Sequence, residues 1–442
     1  MNTKKDIYKG KFKLLLLKNA NIIDLYTGDI DYNKDVFITG DRITEVLDSR
    51  YEIDNLDLAL NVVNCKNKYL IPGLWDMHIH ILNNADLAIP HLIANGVLGI
   101  RDMGSSFSEI EHLKSKLEKE SLPINLFFTG PILDNKIIPG TNSRINVNGS
   151  EDIQSIVAKL YGFGVDYIKV HYNIPYEKYL ELIKTAKKFK LDVVGHVPYG
   201  VRIIDAINLG QKSIEHLTGM FLGSSHLESS LREKYVNAKN NMIAEMNEKE
   251  AANTFDEEKF EQIVETSLKK NVYHVPTLRI MKAATSELID SKPDFYKYIP
   301  EELIDSMENF SAEIKKASLI SFFDFMYDCK KRLVKKMYEM DLPILVGTDS
   351  HCSMLGDQFK IFYGCSVHEE MEELVDCNFS NLAALQSATI KPVEFLNLTK
   401  DFGKIEAGKI ADFLILNSNP LEDIRNTRDI EYIVLKGNIK AI

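Results

Sequence analysis

The chain has 442 residues, of which 45% are hydrophobic and 26% charged, and a formal net charge of −11. That length exceeds one small domain and suits a barrel of roughly 250–350 residues with a smaller unit beside it, large enough to hold a core without disulfide staples. The acidic balance argues against a nucleic-acid backbone as partner, and no run approaches the ~18 apolar residues of a membrane span.

The five cysteines, Cys65, Cys329, Cys352, Cys365 and Cys377, are odd in number and include no CxxC pair. Neither a disulfide framework nor a cysteine zinc cluster is expected. Met1–Lys13 is basic, but only Leu14–Leu17 follows as an apolar run. A signal peptide needs a longer apolar core and a small-residue cleavage site. The expectation is a cytoplasmic protein with reduced thiols.

The first 67 or so residues read as short strands, Phe12–Leu17, Ala20–Asp24, Asp35–Thr39 and Arg42–Val46, with Thr27-Gly28-Asp29 and Gly40-Asp41 as turn signals. Apolar strands then recur eight times: Tyr69–Ile79, Val97–Met103, Ile124–Gly130, Asp166–His171, Leu191–Val197, Lys212–His216, Asn271–Leu278 and Pro343–Asp349. Helical patterns such as Glu151–Tyr161 and Tyr176–Lys188 lie between most of them. Strands alternating with helices predict a parallel sheet, and eight repeats predict a closed (β/α)8 TIM barrel over 68–400. An open doubly wound sheet is the alternative, without a Gly-rich dinucleotide turn to support it.

Phe413–Leu416 and Ile430–Leu435 have the texture of the N-terminal strands. Residues 1–67 and 401–442 are therefore expected to build one composite β-sandwich domain. Long, charged, helical insertions occupy about 220–270 and 280–340. They follow strands, so they begin at the active-site end of a barrel. Two readings stay open for them, helices padding the rim and a lid over the site.

His78-Ile79-His80 ends the first barrel strand. Side chains at i and i+2 share a face, so both imidazoles point to one spot. Such a pair arises by chance in many chains; the other strand ends make it a pattern. His196 ends strand five, His216 strand six and Asp349 strand eight, and catalytic residues of this fold collect at those ends. Their nitrogen and oxygen donors suit zinc or a similar divalent metal. Lys169 sits inside strand four, where burial depresses a lysine pKa. A neutral amine can add carbon dioxide and become a carbamate that bridges two cations. The plainer reading pairs Lys169 with Asp102 or Glu215.

The order HxH, Lys, His, His, Asp resembles the amidohydrolase superfamily with a binuclear centre. So do Leu70-Ile71-Pro72-Gly73 through His80, Ile100–Gly104, Gly210–Leu217 and Gly408–Phe413. These runs are similar to the imidazolonepropionase-like and prolidase-like branch. The resemblance implies that His78, His80 and Asp349 hold one divalent ion and His196 and His216 a second. Carboxylated Lys169 and a hydroxide would bridge them. Zn2+ is the expected metal, with Mn2+ or Co2+ as alternatives. Asp349 would act as general base and then acid.

Four further residues are candidates for a small-molecule substrate. Arg101 either binds a carboxylate or salt-bridges inside the barrel. His171 lies on the face of Lys169, Tyr199 is placed to polarise a carbonyl, and His351 either touches substrate or serves its loop. His274, His91, His112, His226 and His368 read as packing or surface residues.

The expected reaction is hydrolysis of an amide or peptide-type C–N bond. Lactone, ester or phosphotriester hydrolysis could use the same site. A mononuclear deaminase fits less well, because Val197-Pro198-Tyr199-Gly200 offers no glutamate beside His196. A barrel scaffold without catalysis would have lost ligands, and here each is present. A homo-oligomer is compatible with this reading; a membrane or nucleic-acid partner is not expected.

Overall fold

A computed structural model describes residues 14–49, 60–81, 84–119, 124–136, 142–238, 246–352 and 358–442. The basic stretch Met1–Lys13 and the start of the expected strand at Phe12 lie outside them, as do residues 239–245 of the first insertion. The fold is α/β. Its strands are β1 Leu14–Ile23, β2 Ile30–Thr39, β3 Arg42–Asp48, β4 Leu60–Asn64, β5 Tyr69–Pro72, β6 Leu74–Ile79, β7 Val97–Asp102, β8 Asn125–Phe128, β9 Ile132–Asp134, β10 Arg144–Asn146, β11 Tyr167–Val170, β12 Asp192–Gly195, β13 Gln211–Glu215, β14 Tyr273–Val275, β15 Phe413–Leu416, β16 Ile430–Leu435 and β17 Asn438–Ala441.

Strands from both chain ends share one sheet, ordered β17-β16-β15-β5-β1-β2-β3, with β4 beside β1. It closes on its own apolar cluster, which includes Leu17, Val36, Leu70, Phe413 and Val434. The sequence reading split β1 in two. The structure runs it through Lys18-Asn19 as an irregularity in the pairing with β2, with Asn19 at φ 58°. Asparagine tolerates that left-handed conformation, so the signal was a bulge rather than a turn.

The expected first barrel strand, Tyr69–Ile79, is also two strands. β5 pairs with β1 and β15, whereas β6 pairs with β7. The break is at Gly73, where a Cβ would stand 2.5 Å from the Leu98 side chain. Only glycine lets the chain pass from one sheet to the next at that distance.

The remaining strands form two parallel sheets, β6-β7-β8 and β10-β9-β11-β12-β13-β14. Bonds join the two sheets on both sides. Asp166 N donates to Phe128 O at 3.0 Å, linking β8 to the start of β11. On the other side, residues 343–350 lie between β14 and β6, through the parallel bridges His274–Ile344 and Ile79–Ser350. Helices fill the crossovers. The helix Ile153–Phe163 shows the local logic: the Asp152 carboxylate accepts from Ser155 N, and Gly164 ends it at φ 81°.

The expected insertions contain helices of two kinds. Helices Glu257–Lys270 and Ile320–Glu339 bury Phe260, Val264, Val334 and Met337 and lead directly into β14 and residue 343, as ordinary crossovers do. The added parts are the short helices between 220 and 253 and the segment around the helix Glu301–Lys316. Among the described residues, no helix is long and apolar enough to cross a membrane.

Candidate metal centre

The C-terminal ends of the parallel strands converge on one group of side chains. His78 and His80 leave the end of β6 on the same face. Their Nε2 atoms lie 3.5 and 3.3 Å from Asp349 Oδ1. Ligand atoms of these three residues all fall within 4.8 Å of one another. Lys169 Nζ on β11 donates to His78 Nε2 at 3.1 Å. The His216 ring stands 4.5 Å from that of His78, and the His196 ring 4.8 Å from that of His216. His216 Nδ1 is 3.9 Å from Asp349 Oδ2. All six sequence-expected ligands are thus brought together.

Backbone strain marks the same ends. His216, Leu217, Thr277 and Asp349 have φ of 58°, 61°, 50° and 57°. Residues with a Cβ rarely adopt that region, and they hold it where surrounding structure over-determines it. At His216 and Asp349 the left-handed turn carries the side chain from a strand end toward the centre, while Leu217 packs into the core. Gly195, at φ 119°, gives Lys169 its room: a Cβ there would lie 2.4 Å from Val170 O and 3.0 Å from Lys169 Cδ.

Beneath the ligands lies a buried polar layer. His78 Nδ1 donates to Glu215 Oε2 at 2.7 Å, so Nε2 keeps its lone pair for the centre. Glu215 Oε1 in turn accepts from Arg101 NH2 at 3.0 Å, and Arg101 also donates to Met77 O and Ser213 Oγ. Burial alone would raise the Glu215 carboxyl, but Arg101 and His78 outweigh it and hold the group ionised. Asp76 accepts from Thr348 Oγ1 at 2.6 Å, from Thr348 N and from His78 N, tying the Asp349 loop to β6. His216 Nδ1 is within 2.8 Å of Thr277 Oγ1.

Burial sets the protonation states. It lowers His78 to about 4 and pushes His196 and His216 well below the usual imidazole range, so the rings are neutral donors of lone pairs. It lowers Lys169 to about 8. Burial would raise Asp349, but His216, His80 and His78 hold it well below the usual carboxylate range. Lys169 makes no ion pair among the described residues. The alternative partner Asp102 is occupied by Ile81 N, Ser105 N and Ser105 Oγ.

The four substrate candidates separate. Arg101 is fully buried and spends its donors on Met77, Ser213 and Glu215, and it does not line the cavity. His171, Tyr199 and His351 do line it. His171 Nδ1 is 2.8 Å from Asp134 Oδ2. Tyr199 stacks on Tyr172 with ring centroids 4.6 Å apart and planes 11° apart. His351 Nδ1 is 2.9 Å from Asp349 O. His274 is buried with both ring nitrogens unpartnered, and His368 bonds Thr427 and Asn95; neither lines the cavity.

The cavity measures about 790 Å3. Three features of it escaped the sequence reading. Arg144 on β10 lines it beside Asp134, Lys330 and Glu248 form a pair in its wall, and phenylalanines from the second insertion face it. In the sequence Glu215 stands out only as a partner for Lys169. Strand alternation with Ser213 would have placed it inward. Arg144 carried no local signal.

Residues 69–440 match the model of the Amidohydrolase family, and the chain belongs to that family. It is 28% identical over 180 residues to an adenine deaminase of Thermosipho africanus (strain TCF52B), a match covering 36% of this chain and 28% of that protein. The chain spans about a quarter to a third of the length of the first curated relatives it matches. The crystal structure of a Xaa-Pro dipeptidase with bound methionine superposes with a TM-score of 0.68 at 19% identity, covering 97% of this chain and 100% of that one. That of molinate hydrolase gives 0.70 at 15% identity, covering 97% and 95%.

Proposed function

We propose that this member of the amidohydrolase family hydrolyses a carbon–nitrogen bond of a small amide-type substrate at a two-metal centre in the mouth of a closed (β/α)8 barrel. In this reading β6, β7, β8, β11, β12, β13, β14 and residues 343–350 are the eight staves. The sheet built from both chain ends is a separate composite domain, with its boundary at Gly73. Five cysteines without a disulfide fit a reducing compartment, the cytoplasm.

The convergence of six ligand-type side chains carries the proposal. The donors fit divalent ions: four imidazoles, one carboxylate and one buried lysine. The Nδ1 of His196 is buried without a hydrogen-bond partner, which a cation would satisfy. His78, His80 and Asp349 would hold one ion, and His196 and His216 the other. Lys169, carboxylated on its neutral amine, would supply an oxygen to each. Zn2+ suits this donor set, and Mn2+ or Co2+ are accepted by similar ones. Two such ions lower the pKa of a water and polarise the scissile carbonyl.

The chain's own residues do the rest. Glu215 and Thr277 fix the ring orientations of His78 and His216. Asp349, ionised and beside both, takes a proton from the attacking water. As the C–N bond breaks, it passes that proton to the leaving nitrogen. Ester or lactone substrates meet the same groups with oxygen as leaving atom. The local likeness to adenine deaminases favours a second reading, removal of a ring amino group as ammonia.

The test is elemental analysis combined with a substrate panel. Purified protein should carry about two divalent ions per chain. It should cleave at least one dipeptide, N-acyl amino acid or cyclic amide. Metal-free protein after growth with added zinc and manganese would overturn the two-metal reading. Ammonia release from adenine, with no cleavage of the amides, would replace amide hydrolysis by deamination.

A further inference from the structure

The cavity is far larger than the metal centre requires, and its flanks differ chemically. In the ring order proposed above, β8 with its extension β9–β10 is third and β14 seventh. They stand half a turn apart across the mouth.

Arg144, on β10, belongs to the third position. Its NH1 lies 2.7 Å from Asp134 Oδ2 and 3.2 Å from His171 Nδ1. Asp134 takes one edge nitrogen of the guanidinium, and its carboxylate also accepts from Asn173 N at 3.1 Å and lies 2.8 Å from His171 Nδ1. The remaining guanidinium nitrogens of Arg144 make no hydrogen bond among the described residues, and the side chain lines the cavity. A guanidinium with free edge donors on a half-buried wall is suited to a carboxylate.

The seventh and eighth positions add aromatic surface, beside the charged Glu313 and Lys330. Phe310 and Phe323, on the two long helices after β14, and Phe359, after Asp349, line the same cavity. Phe310 and Phe359 meet edge-to-face at 4.8 Å, and Phe323 meets Phe359 at 6.4 Å. Behind them lies an apolar cluster of Ala284, Ile289 and Ile314, separate from the main core. The insertion thus holds two of these rings against the cavity, and Phe359 joins them on the same small core. Half-buried aromatic faces in a ligand cavity gain by burying apolar surface.

We propose that this cavity is two-ended: the preferred substrate carries a carboxylate on one side of the scissile bond, received by Arg144, and a large apolar group on the other, received by Phe310, Phe323 and Phe359. N-acyl amino acids with bulky acyl groups are the simplest members of that class. The assignment rests on the amide-hydrolase reading and on the closed ring.

The experiment uses the metal-loaded full chain with N-acetylglycine, N-(3-phenylpropanoyl)glycine and N-(3-phenylpropanoyl)glycinamide. Both kcat/KM and calorimetric Kd are measured. Phenylpropanoyl should be preferred to acetyl by about tenfold or more, and removing the carboxylate charge should cost a similar factor. Arg144→Met should erase the second preference and keep the first; Phe310→Ala with Phe323→Ala should do the reverse. Each variant is checked for metal content and thermal unfolding, and Phe323→Leu replaces a variant that misfolds. Hydrolysis or binding without either preference would overturn the two-ended cavity and leave amide hydrolysis standing. Tight, carboxylate-dependent binding of the phenylpropanoyl compound without cleavage of any amide in a wider panel would overturn the reaction and keep the cavity. Absence of both binding and cleavage overturns both.

Discussion

The floor and the far wall of the cavity are built differently. The floor is six side chains on strand ends, three of them backed by buried partners: Glu215 and Arg101 behind His78, Thr277 behind His216, Asp76 and Thr348 beside Asp349. The wall is three phenylalanines, two on the helices Glu301–Lys316 and Ile320–Glu339 and one in the stretch after Asp349, resting on a separate small cluster. The contrast teaches where tolerance lies. A misplaced floor residue leaves a buried charge or an unsatisfied ring, whereas a wall residue can change size at the cost of apolar contact alone.

The largest effect should follow from Lys169→Ala. Losing the proposed bridge should remove metal and activity together, by roughly a hundredfold to a thousandfold or more in kcat/KM, as expected when several kcal/mol of charge stabilisation disappear. Short carboxylic acids should restore part of it. A Lys169→Ala variant with full metal and full turnover would show that the floor does not depend on the bridge.

Next comes Arg101→Met, which strands the buried Glu215 carboxylate. Removing one partner of a buried ion pair costs about 3–5 kcal/mol, so chemical denaturation should show a clear drop in stability. If stability stayed level while KM rose, Arg101 would belong with substrate after all, and the division between floor and wall would blur.

Acid should weaken the frame more gently. Burial lowers His274 to about 4 and His368 to about 3, below the ordinary value near 6.5 of the unfolded chain. Between those values the unfolded state binds protons that the folded state refuses. Their contribution is therefore complete above about pH 6.5 and lost as pH falls toward 4 and 3. Both residues lie off the cavity, so Tm should fall over that range in metal-loaded and chelated protein alike. A flat Tm in both would contradict neutral burial.

The smallest effect on the frame belongs to the wall. Phe310→Ala should leave metal stoichiometry unchanged, and a bound inhibitor should slow hydrogen exchange in 284–318 while barely altering β6 and β13. Equal protection in both regions would erase the distinction between a rigid floor and an adaptable wall.

Much of the floor could be read before any coordinates. His78 and His80 share a face because strand side chains alternate with period two. His196, His216 and Asp349 were expected at strand ends because apolar runs stop there. Those are local properties, set within a few residues by backbone geometry. Position in the chain also placed the insertions at the mouth, but not which of their residues face inward. Three matters waited for the tertiary structure. Gly73 divides Tyr69–Ile79 between two sheets because Leu98, distant in sequence, leaves no room for a side chain. Arg101 turns to Glu215 because β7 and β13 lie within reach of each other across the interior. Arg144 and the phenylalanines of 310, 323 and 359 meet one cavity only through the pairing of β9 with β10 and the packing of segments 301–339 and 358–361. Contacts between segments far apart in sequence depend on the sum of many weak packing terms, and no short stretch of residues encodes that sum.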